Sequence, residues 1–70
     1  MVNGVYRGVE WFAGRILSDD SVEIRARAWV GDDVWAEVET VPKGRWDEMD
    51  VVEIREAAEA LVDRLLARTR

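Results

Sequence analysis

Seventy residues make one small domain, close to the lower limit of what a single hydrophobic core can hold together. Neither cysteine nor histidine occurs, which excludes disulfides, thiolate chemistry and the commonest metal ligand and general base. A net charge of −5 at 36% charged and 49% hydrophobic residues describes an acidic globular chain, poorly suited to general nucleic-acid binding by counterion release.

Residues 1–70 read as one domain, without repeat, linker or low-complexity tract. No run is apolar enough to span a membrane, and "MVNGVYRGVE" lacks the apolar core of a signal peptide, so a cytoplasmic protein is expected. From Val5 to Leu17, "VYRGVEWFAGRIL" is rich in aromatic and β-branched residues and broken by glycines, the pattern of a bent strand. "SDDS" (Ser18 to Ser21) marks a turn. Val22, Ile24, Ala26, Ala28 and Val30 then alternate with Glu23, Arg25, Arg27 and Trp29, as along a second strand.

After "GDD", Val34, Ala36 and Val38 alternate with Trp35, Glu37 and Glu39, predicting a third strand. A three-residue loop at Gly31, Asp32 and Asp33 keeps the two apolar rows on one face. It sets Trp29 opposite Trp35, Arg27 opposite Glu37 and Arg25 opposite Glu39, pairs that stabilise a hairpin. The same construction at Ser18–Asp20 sets Trp11 opposite Arg27, Phe12 opposite Ala26 and Val9 opposite Trp29. It leaves Glu10 on the buried face; a bulge at Gly14 would instead turn Trp11 inward and Glu10 outward. The unbulged register is expected.

"VPKG" (Val41 to Gly44) predicts a type I turn. From Asp50 to about Arg68, Val51, Ile54, Ala58, Leu61 and Leu65 recur at helical spacing. Asp50 with Glu53 forms a capping-box pattern, Met49 is placed to staple onto Ile54, and Arg64, Arg68 and Arg70 suit the negative end of the helix dipole. The predicted fold is α+β: a three-stranded antiparallel meander with one C-terminal helix packed on one face (β-β-β-α). Phe12, Ile16, Val22, Ile24, Ala26, Ala28, Val34, Ala36 and Val38 are expected to face that helix.

The opposite face is then expected to carry Val9, Trp11, Trp29, Trp35, Arg25 and Arg27. Large aromatics clustered on an uncovered sheet mark a contact surface. These six are the predicted partner-binding residues. The expected partner is a second copy, because a small domain without disulfides gains stability by burying such a face, and another protein is the further candidate. An acidic inhibitor or regulator, such as a phage-encoded one, falls within this class. The alternative is a nucleic-acid or ribosome-binding module using the sheet arginines and tryptophans, which the charge disfavours.

Trp46, between Lys43, Arg45 and Asp47, is expected to plug the core beneath the strand-to-helix connection. Asp19/Asp20 and Asp32/Asp33 are read as turn residues rather than a metal site. Few hydroxyls occur and no histidine can activate them, so no catalytic residue, metal or cofactor is assigned and an enzyme is not expected.

Two resemblances add to this reading. "YRGV" (Tyr6 to Val9), followed by a tryptophan and a β-β-β-α layout, resembles the start of the plant AP2/ERF DNA-binding domain. That family reads the major groove from its sheet, which would implicate Arg7, Trp11, Arg25, Arg27 and Trp29. Glu10 stands where the family has a basic strand. "IRARAWVGDDVWAEVETVP" with "EMDVVEIREAAEALVDRLL" resembles a small actinobacterial, dormancy-associated family with a double-stranded-RNA-binding-like fold. This second resemblance implies the same fold, a dimer and a role at the ribosome.

Overall fold

The computed structural model describes residues 2–15 and 21–68. It is an α+β domain with four strands in order β1-β2-β3-β4: β1 (Val2–Tyr6), β2 (Val9–Arg15), β3 (Ser21–Val30) and β4 (Asp33–Pro42). A short helix α1 (Lys43–Glu48) and a long helix α2 (Val51–Arg68) follow. The antiparallel meander and C-terminal helix are as the sequence predicts, but the sheet has four strands rather than three.

The extra strand comes from "YRGV". Arg7 (φ 53) and Gly8 (φ 78) both adopt positive φ, so a two-residue turn of the type I′ pattern folds the predicted bent strand into a hairpin with Tyr6 opposite Val9. A non-glycine residue at positive φ is costly and unusual, which is why the break passes for a bend in the sequence.

The β3–β4 hairpin is also tighter than expected. Gly31 (φ 63) opens a two-residue loop with Asp32, leaving Val30 opposite Asp33 and Trp29 opposite Val34. Glycine at the first loop position gives the II′ pattern, whose twist matches that of paired strands. The expected register is therefore displaced by one residue: Arg27 faces Ala36 and Arg25 faces Val38, not Glu37 and Glu39.

The β2–β3 register is displaced in the same way. Trp11 pairs with Ala26, Phe12 with Arg25 and Glu10 with Arg27. Trp11 thus points inward and Glu10 outward, the outcome that a bulge at Gly14 was expected to require. Pairing runs unbroken through Gly14 and Glu23 to Arg15 and Val22, so no bulge is needed. The predicted turn at Ser18–Asp20, the Asp19/Asp20 pair, the placement of Ile16 and that of Arg70 lie outside the described residues.

Helix α2 begins after Asp50, whose carboxylate accepts a hydrogen bond from the Glu53 N–H (2.8 Å). The Glu53 carboxylate pairs with Arg45 rather than closing the predicted capping box, and Met49 packs at the edge of the core. Of the predicted stripe, Ile54, Ala58, Leu61 and Leu65 are buried, with Val62 beside them, whereas Val51 in the first turn is exposed. The buried residues pack on Val9, Trp11, Ala13, Ile24, Ala26 and Val41, and among the described residues no polar side chain is buried. The predicted type I turn at "VPKG" is instead the end of β4 at Pro42 and the start of α1 at Lys43, and Trp46 on α1 packs half-buried against this core as the expected plug. No helix among the described residues is long and apolar enough to cross a membrane.

Candidate interaction surface

One helix about 10–12 Å across cannot cover four strands about 4.8 Å apart. Helix α2 lies over β3 with β2 and β4 at its sides, so the inner faces of the edge strands are only partly roofed. This decides where Trp35 goes. On the inner face of β4, Trp35, Glu37 and Glu39 lie half-buried along the flank of α2. Arg68 stacks 5.7 Å from the Trp35 ring and pairs with Glu37, while Arg64 lies 3.7 Å from Glu39. Arginines one turn apart on the helix thus meet glutamates two residues apart on the strand. Amphipathic side chains with charged partners suit a half-covered position better than valine does.

The consequence is an apolar row on the outer face, which no helix among the described residues covers. Val34 (47% exposed) and Val38 (46%) join Trp29 (71%), Phe12 (42%) and Val5 (68%) there. The register sets them in rows: Asn3–Phe12–Arg25–Val38, then Val5–Glu10–Arg27–Ala36, then Trp29–Val34 at the hairpin tip. Phe12, Val34, Ala36 and Val38, expected to face the helix, all lie on this outer face.

Of the predicted contact residues, Trp29, Arg25 and Arg27 are brought together there. Val9 (4% exposed) and Trp11 (5%) are core residues, and Trp35 lies under Arg68 on the helix side. Their misplacement follows from the two one-residue register shifts. The residues missed were Val5, Phe12, Val34 and Val38, and the signal that finds Val34 and Val38 is "GD" read as a two-residue hairpin loop.

Charge on this face is balanced. Arg25 donates to Glu23 (2.8 Å), and that hydrogen bond, followed by the attraction of the carboxylate, raises the guanidinium pKa further. Glu10 and Arg27 stand opposite each other across β2 and β3, with no ion pair at either among the described residues. Two arginines and two glutamates therefore sum to zero on a chain of net charge −5. Arg7, whose "YRGV" carried a DNA-binding resemblance, is bound to Asp63 of α2 (2.9 Å). Among the described residues no group of three or more His, Cys, Asp or Glu is placed to hold a metal. No family model, curated protein or solved structure matches the chain.

Proposed function

We propose that the chain is a non-enzymatic, cytoplasmic interaction module whose uncovered sheet face docks onto a second copy of itself. The observation that carries this reading is the outer face itself, where Phe12, Trp29, Val34 and Val38 stand exposed while α2 packs on the other face. Self-association fits the charge, since a face that sums to zero brings two acidic chains together without placing like charges at the contact. It also fits the area. A stable interface needs about 800 Å² per partner, roughly one sixth of the 4827 Å² this molecule exposes.

Nucleic-acid or ribosome binding is the second reading, favoured by Arg25, Arg27 and Trp29 sharing one strand face. Glu23 is paired with Arg25 and Glu10 stands opposite Arg27, which weakens the field a phosphate backbone would meet.

Fluorescence quenching separates the readings. Trp29 is the most exposed tryptophan, so burying it in a dimer makes acrylamide quenching fall as protein concentration rises, and Trp29→Phe removes that dependence. Quenching independent of concentration, together with salt-dependent binding of an RNA or DNA oligonucleotide, would transfer the face to the nucleic-acid reading.

A further inference from the structure

An open sheet has two edges, and this one treats them differently. In a two-residue hairpin the residues flanking the loop exchange hydrogen bonds, and alternate residues turn their N–H and C=O groups outward. Counting from Val30 and Asp33, the outward groups of β4 belong to Val34, Ala36, Val38 and Thr40. That edge is blunted. Glu37 and Glu39 place charge on its inner side, Pro42 ends it, and Arg68 reaches round to donate to the Ala36 carbonyl (3.5 Å).

Counting from Tyr6 and Val9, the outward groups of β1 belong to Asn3 and Val5. The strand "VNGVY" holds no charged residue and no proline. Val5 is 68% exposed, and a groove lined by Val2, Val5, Trp11 and the exposed Val51 runs between this edge and α2.

We infer that β1 is a pairing edge whose occupant is β1 of a second copy, joined antiparallel about Gly4. The register follows from full overlap of the five residues: Val2 opposite Tyr6, Asn3 opposite Val5, and Gly4 opposite Gly4. Asn3 and Val5 then exchange hydrogen bonds in both directions through the groups that each copy leaves unpaired. Gly4 pairs fall at the close, non-hydrogen-bonded spacing of about 4.5 Å between Cα atoms, where a missing side chain helps. The Trp11 ring fills the space that a Gly4 Cβ would occupy, so each copy supplies a Trp11 at the centre of the seam. Arg55 and Glu59, one of each sign, line the groove and leave it without net charge toward a copy of itself. The product is a continuous eight-stranded sheet with both outer faces on the same side, so edge pairing through the backbone groups of Asn3 and Val5 is compatible with face pairing through outer-face side chains.

Amide hydrogen exchange tests the edge alone. Asn3 and Val5 amides should exchange about tenfold or more slowly at high micromolar than at low micromolar concentration, because outward edge amides are open in a single copy. Asn3→Pro removes one outward N–H without breaking the β1–β2 ladder, and should abolish the slowing at Val5. Val5→Lys does the same by charge if the proline variant fails to fold. The protection should persist when Phe12 and Trp29 are both replaced by Ser, so its fate is separable from that of the sheet face. Fast exchange of Asn3 and Val5 at every concentration overturns the inference.

Discussion

Gly4 shows how a single residue is fixed by its neighbour. An added Cβ would come within 2.8 Å of the Trp11 ring, inside any tolerable contact. Alanine normally improves a strand by about 0.5–1 kcal/mol over glycine, yet here crowding costs about 1–3 kcal/mol. Gly4→Ala is therefore expected to lower the urea midpoint, and an unchanged or raised midpoint would show that Trp11 does not lie there. Trp11 also marks what sequence reading could not see. Its neighbours alternate equally well in either register, so facing direction depends on a pairing one residue away. Arg25, Arg27 and Trp29 escaped this ambiguity because Val22, Ile24 and Ala26 hold the inward row of β3 without competition.

At the scale of elements, α2 was legible because period, cap and charge agree: the apolar stripe, the Asp50 cap and the terminal arginine all select the same residues. Leu61 is fully buried at its centre, and Leu61→Ala should cost about 2–5 kcal/mol, most of the stability of so small a domain. A melting temperature within a few degrees of the parent would contradict that burial. The hairpins were less legible. Their strands show in the alternation, but the loop lengths rest on glycine chemistry, and β4 reverses the usual rule by turning glutamates toward the helix. That reversal needs Arg64 and Arg68, which lie far along the chain. Gly31→Ala tests the tight turn, since a side chain at φ 63 costs about 1–2 kcal/mol. No loss in thermal stability would argue for the longer loop.

For the molecule as a whole, α2 packs on one side of a four-stranded sheet, and the other side exposes Val5, Phe12, Trp29, Val34 and Val38. The α+β class and a sheet face left uncovered by the long helix could be read from the sequence. The membership of that face could be read only in part, because two register shifts moved Trp11 and Trp35 away and brought Phe12, Val34 and Val38 in. The central claim is that burial of this face in a second copy completes the molecule. Sedimentation equilibrium of the parent beside the Phe12→Ser, Trp29→Ser variant tests it most directly. The parent should sediment well above its 8.0 kDa monomer at high micromolar concentration, and the variant at a lower mass with its helical circular dichroism intact. A parent that stays at the monomer mass, or a variant that sediments as the parent does, would contradict the account.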